Sequence, residues 1–137
     1  MKGFKSAIES EAIENTDFRR VLYTAAHHQL VLMSLRPGEE IGMETHSGND
    51  QFFRVESGHG TCLIDGNEYQ LHDGDAIIVP SGARHNVINA SNIDDLKLYT
   101  IYSPPHHKDG IVRATKADAE ANEEEFDGTT TEGGSNP

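Results

Sequence analysis

The stretch ETHSGNDQFF (44–53) sets Glu44 and His46 two residues apart and places Gln51 at the head of an aromatic run, while the downstream stretch GDAIIVPSGARHNVIN (74–89) carries His85. Neighbours-but-one on a strand point the same way, about 6.5–7 Å apart, so Glu44 and His46 share one face and Thr45 takes the other. The same alternation puts His85, Val87 and Asn89 on one face. A carboxylate next to an imidazole is a donor pair that a divalent metal accepts. It is equally what a solvated polar hairpin carries, and the spacing alone is compatible with both.

The elements that must hold these residues read as β structure. FRRVLYT (18–24) and LVLMSL (30–35) flank the polar AAHHQ as a hairpin ended by Arg36-Pro37-Gly38. Within it Val31-Leu32-Met33 is apolar on both faces, which calls for a cover on each side, from a second layer or a second subunit. Turns then follow quickly at Ser47-Gly48-Asn49-Asp50, Ser57-Gly58, Asp65-Gly66, Asp73-Gly74 and Pro80-Ser81-Gly82. Short strands at this spacing indicate an all-β sandwich or barrel. Ala76–Val79 reads as a buried strand stopped by Pro80, with Val79-Pro80-Ser81-Gly82 as a type I turn holding Gly82 in its fourth position. KLYTIYS (97–103) reads as the last barrel strand, with Tyr99 and Tyr102 on opposite faces. One helix is expected, capped by Thr115 with Asp118 three residues on, ahead of KADAEANEEE; DGTTTEGGSNP at the end has a disordered composition.

Composition narrows the function. A chain of 137 residues suits one domain with one core. Cys62 is the sole cysteine, which excludes an intrachain disulfide and a thiolate zinc cage and suits a buried strand position. Of the net charge of −12, the segment from Asp118 onward contributes seven acids and no Lys or Arg; the first 117 residues hold sixteen acids against eleven bases. Neither part offers the basic face that nucleic acid or an anionic membrane requires, so neither partner is expected. No purely apolar run exceeds the four residues of Ala76–Val79, which cannot span a bilayer, and the N-terminus lacks an export-type apolar region, so a cytoplasmic location is expected.

Gly74, Pro80, Gly82, His85 and Asn89 reproduce G-x5-P-x-G-x2-H-x3-N, the second motif of the cupins. Their first motif, G-x5-H-x-H-x3-4-E-x6-G, is matched in frame by Gly38, Glu44, His46, Gln51 and Gly58, with Glu44 standing where a His is usual and Gln51 where a Glu is usual. Over about Phe18–Tyr102 the chain therefore resembles that family. The resemblance implies a double-stranded β-helix, or jelly-roll, barrel over 18–114, preceded by an extension (1–17) and followed by a short acidic helix and flexible tail (115–137); it also implies a homodimer. It further implies one divalent metal ion per chain held by Glu44, His46, Gln51 and His85, a set with one negative charge and borderline donors that suits zinc first and manganese, iron or nickel as alternatives. Glu and Gln in place of the family's usual residues keep an oxygen donor at each departure. The bland alternative is a metal-free barrel with a hydrated polar mouth.

Three functions follow from a metal in such a pocket. The first is an isomerase or lyase acting on a small oxygenated, sugar-like substrate, with Glu44 as ligand, proton carrier, or both in turn; cupin mannose-6-phosphate isomerases bind zinc through the same four residue types, but no basic cluster for a phosphate is visible in this chain. The second is a dioxygenase, disfavoured because an amide is a weak ligand for a redox metal. The third is a non-catalytic binder of metal or of a small molecule. Outside the ligand set, His27, His28, His59 and His72 read as solvated, Arg84 as surface or interface, and His106-His107 as a possible lid or support for the site.

Overall fold

The computed structural model describes residues 1–133. Among them are ten strands: β1 (Arg19–Thr24), β2 (Gln29–Leu35), β3 (Glu44–Thr45), β4 (Asp50–Ser57), β5 (His59–Ile64), β6 (Asn67–His72), β7 (Ala76–Val79), β8 (Arg84–Asn89), β9 (Leu96–Ser103) and β10 (Val112–Arg113). They pair antiparallel into a six-stranded sheet, β10-β1-β2-β9-β4-β7, and a four-stranded sheet, β3-β8-β5-β6, which together form the double-stranded β-helix. The inward residues of both sheets make one core, with Val31, Met33 and Leu35 of β2 meeting Phe53, Val55, Cys62, Val87 and Leu98. Burial raises the Cys62 thiol to about 11, which keeps it an inert core residue as expected.

Two helices flank the barrel, one more than expected. Thr115 caps α2 (Lys116–Ala121) as its sequence suggests, its hydroxyl accepting from Asp118 N at 3.1 Å. The unforeseen helix is α1 (Ile8–Glu14), inside the N-terminal extension. It packs on β2, β4 and β9, where its Ala12 and the outward-facing Leu32 are both fully buried. Lys97 Nζ ties down its end by donating to Asn15 O and to Ser34 Oγ. The second apolar face of β2, for which a second layer or a second subunit was expected, is thus covered by a layer from within the chain.

Two other expectations need correction. Ala76–Val79 is not a buried strand but the free edge of the six-stranded sheet, with Ile78 66% exposed and only Val79 fully buried. The acidic tail also returns to the barrel as far as it is described. Thr131 N donates to Thr24 O at 3.0 Å, Thr24 N donates back to Thr131 Oγ1 at 2.8 Å, and Glu132 accepts from Lys2 N, Gly3 N and the Tyr23 hydroxyl. These attachments are polar and mostly made to backbone, which composition does not register. Residues 134–137 of the expected flexible tail lie outside the described residues.

Candidate metal centre

Glu44 and His85 are directly opposite partners in the β3–β8 ladder, and His46 follows one residue after β3 ends. That register, with the alternation along β3, brings a ligand atom of Glu44, of His46 and of His85 within 4.8 Å of one another. Donors bonded to a common zinc-sized ion at about 2.0–2.2 Å stand roughly 3–3.5 Å apart, so small side-chain rotations suffice to close the set. His85 is buried, and its Nδ1–H donates to Ala83 O at 3.0 Å, which leaves Nε2 as the free lone pair. His46 Nε2 lies 3.0 Å from Glu44 Oε2. A bound cation would replace the proton those two atoms now share.

The turn ahead of β8 fixes more than the strand. Ala83 N donates to Pro80 O at 3.1 Å and Gly82 has φ +90°, so the turn runs Pro80–Ala83 with Gly82 third, one residue later than expected and of the type that needs a positive φ there. Gly82 N is thereby free to donate to His46 O at 2.8 Å. The glycine of one motif holds the backbone of the histidine in the other.

Gln51 comes from the opposite sheet, where β4 sets it between Val79 and Tyr102. It is buried, its Nε2 donates to Thr100 Oγ1 at 3.0 Å, and its Oε1 has no hydrogen bond made to it. A buried amide oxygen without a partner is costly. It is the oxygen that a fourth ligand would offer, and with the converging trio it makes the residues present a fit for a divalent ion.

The structure adds groups that the sequence left uncertain or silent. The ring of His106 lies 4.4 Å from that of His46 and 5.1 Å from that of Tyr102, and the His46 and His85 rings are 5.3 Å apart. The 106–107 backbone is clamped by the buried Gln29, whose Oε1 accepts from both amides at 3.2 and 2.9 Å. Of the two tyrosines, Tyr102 is the one that turns inward, while Tyr99 packs near Phe52. Arg19, at the start of β1, lines a cleft with Glu44, His106, His107, Glu123 and Glu125. The sequence signal for it was its parity with the core residue Val21, which puts both on the inward side of β1. His27, His28, His59 and His72 are exposed, as is Arg84.

Burial and charge together set the protonation states. Burial works to raise the Glu44 carboxyl, but the hydrogen bond and charge of His46, with Arg19 and His85 behind it, hold it below its ordinary value. Burial lowers His106 to about 4 and His107 to about 2, helped by the positive charges nearby, so both are neutral imidazoles at pH 7. Burial raises the Tyr102 hydroxyl.

Among the described residues no helix is long and apolar enough to cross a membrane. Residues 31–102 match the model of the cupin domain. The chain is 45% identical over 129 residues to the uncharacterized protein YrkC of Bacillus subtilis, covering 90% of this chain and 69% of that one. A crystal structure of the Bacillus halodurans protein BH2720 superposes with a TM-score of 0.86 at 43% identity, covering 88% of this chain and 96% of the other. A shorter match, 29% identity over 62 residues, joins 45% of this chain to 51% of an oxalate-binding protein of Thermotoga maritima. With the double-stranded β-helix and both motif frames in place, the chain belongs to the cupin domain family.

Proposed function

We propose that this cupin is a metal-dependent enzyme of the isomerase or lyase type that moves a proton on a small oxygenated substrate. Glu44, His46, Gln51 and His85 would hold one divalent ion, zinc by preference, with manganese, iron or nickel as alternatives. The observation that carries the reading is the convergence of Glu44, His46 and His85, and the buried, unpartnered Gln51 Oε1 supports it. When bound, such an ion polarises a carbonyl or hydroxyl oxygen and eases loss of the neighbouring proton.

The protein's own residues have distinct tasks in this scheme. Glu44 is the only carboxylate in the donor cluster and its side chain keeps 35% exposure, so a substrate can reach it and pass it a proton. His85, held by Ala83 O, keeps one tautomer and one orientation. The rings of His106 and Tyr102 wall the cluster on the His46 side and leave Glu44 as its open side. A second reading, binding without turnover, draws on the likeness to the Thermotoga oxalate-binding protein. The two part in heavy water. Protein prepared without a chelating tag and loaded with zinc should exchange carbon-bound protons of small keto and hydroxy compounds, and Glu44→Gln should abolish that exchange. Binding with no exchange by any compound leaves the second reading.

A further inference from the structure

Among the described residues Arg19 is a half-buried charge with no ion pair, although its charge is felt by Glu44. Its Nε is buried without a hydrogen bond, its guanidinium carbon lying 5.5 Å from the centre of its own neighbour's ring, Phe18. Other arginines are matched: Arg20 with Asp17 at 3.7 Å, Arg54 with Glu56 at 3.0 Å, Arg113 with Asn122 O and Glu124. Arg36 and Arg84 lie exposed in water, which solvates them. A guanidinium whose Nε is withdrawn from water and left unpaired is unfavourable, and a forked donor of this kind, with its terminal nitrogens still open to the cleft, complements a carboxylate.

The position is as informative as the lack of an ion pair. Arg19 and Glu44 line the same two clefts, one shared with His106 and His107, the other with Phe18 and Met43. The acids at the rim do not neutralise Arg19: Glu124 is drawn to Lys108 at 3.6 Å and Arg113 at 3.8 Å, and neither Glu123 nor Glu125 comes within ion-pair reach of Arg19. Glu44 feels the Arg19 charge but makes no ion pair with it, so a ligand that enters can bring the bonded anion Arg19 lacks, and the acidic rim selects against multiply charged ones. We propose that Arg19 anchors the carboxylate of the substrate, so that the site takes a small monocarboxylic acid whose adjacent carbonyl or hydroxyl oxygen lies toward Glu44, His46 and His85. The inference rests on the metal reading above and narrows its substrate class.

The test is calorimetric binding of pyruvate, glycolate and oxamate to the zinc-loaded full chain, beside the neutral pyruvamide and inorganic phosphate, with the metal content of every sample measured by mass spectrometry. At least one of the three acids should bind more tightly than pyruvamide and phosphate. Arg19→Met should weaken that acid roughly thirtyfold or more, the loss expected for a charge-assisted pair, and leave pyruvamide and metal content unchanged; Arg19→Lys should recover only part. No binding by any of the acids, equal binding of pyruvamide or phosphate, or unaltered acid binding by Arg19→Met would each overturn the proposal. Loss of metal from Arg19→Met would also overturn it, because the guanidinium would then serve Glu44 rather than a ligand. A parent chain that takes up no metal is a failure of the metal reading instead, and an Arg19-dependent affinity for the acids in that metal-free chain would still support the anchor.

Discussion

Asn89 closes the second motif, and replacing it with alanine should cost stability without touching the metal site. The side chain is 1% exposed; its Nδ2 donates to Leu35 O and Arg36 O, each at 3.0 Å, and to Asp94 O at 2.8 Å, while its Oδ1 accepts from Ser91 N at 2.9 Å. One amide thus staples the end of β2 to the loop between β8 and β9. Alanine removes the two N–H donors shared by three carbonyls and the acceptor of one N–H, which at about 1 kcal/mol per net hydrogen bond amounts to about 3 kcal/mol. For a domain of this size that is a fall in melting temperature of about 10–15 °C. Asn89→Asp at pH 7 should be no better, since it turns a carboxylate toward the same three carbonyls. Asn89 lies four residues along β8 from His85, roughly 13 Å at strand spacing, so zinc content should equal that of the parent. Urea unfolding and calorimetry read the first effect, and mass spectrometry the second. A loss of less than 1 kcal/mol would refute the staple, and a loss of metal with the fold intact would refute the division of the motif into a staple and a ligand.

Gly58, the last residue of the first motif, has φ +93°, and an added Cβ would stand 2.5 Å from the backbone Asp95 O; Gly58→Ala should therefore lose about 3 kcal/mol or more in urea unfolding, and parent-like stability would show that the β9 approach yields easily. The Tyr23 hydroxyl, with the amides of Lys2 and Gly3, holds the Glu132 carboxyl at about 2 against an ordinary 4.5. Because that value is depressed on folding, the attachment is complete above pH 4.5 and is lost as pH falls toward 2, so the protection of the Lys2 and Gly3 amides, relative to their intrinsic exchange rate at each pH, should fall across that window in the parent and be low throughout in Glu132→Gln. Deleting residues 128–137 should lower the melting temperature by about 2–5 °C, more than composition suggests, and no change would show that these bonds hold nothing. Gln51→Ala should reduce zinc affinity less than loss of either His, since water can replace an amide oxygen; Gln51→Glu should keep or tighten it, and release of metal by Gln51→Glu would place the Glu44 carboxylate close enough for like-charge repulsion.

The motif frame was legible because each of its residues answers a local backbone demand. Gly74–Asn89 spelled out a turn, a strand, a second turn and an inward histidine, and strand alternation placed Gln51, Phe53 and Val55 indoors, where all three are buried. The turn register slipped by one because Pro80 and Gly82 satisfy two overlapping turns equally well, and only the Ala83–Pro80 hydrogen bond separates them. Ala76–Val79 misled because an apolar run looks alike at a sheet's centre and at its edge. Helix α1 escaped notice because Ala12 is its one fully buried residue, so it carries no apolar stripe. Arg19 was missed for a different reason: a charged residue beside another in FRRV reads as surface, and its parity with Val21 becomes informative only once β1 is known to start beside Glu44 and His106. His106 needed the Gln29 clamp, a contact between residues 77 apart.

The central claim is that Glu44, His46, Gln51 and His85 hold one divalent ion within the barrel. Metal content per chain, determined by mass spectrometry on parent protein and His85→Ala prepared without a chelating tag and equilibrated with zinc, tests it most directly. The account predicts close to one zinc per parent chain and a severe loss in His85→Ala, whose removed imidazole is the buried, tautomer-fixed ligand. Full occupancy in His85→Ala, or a parent that takes up no metal from any of zinc, manganese, iron or nickel, would contradict it.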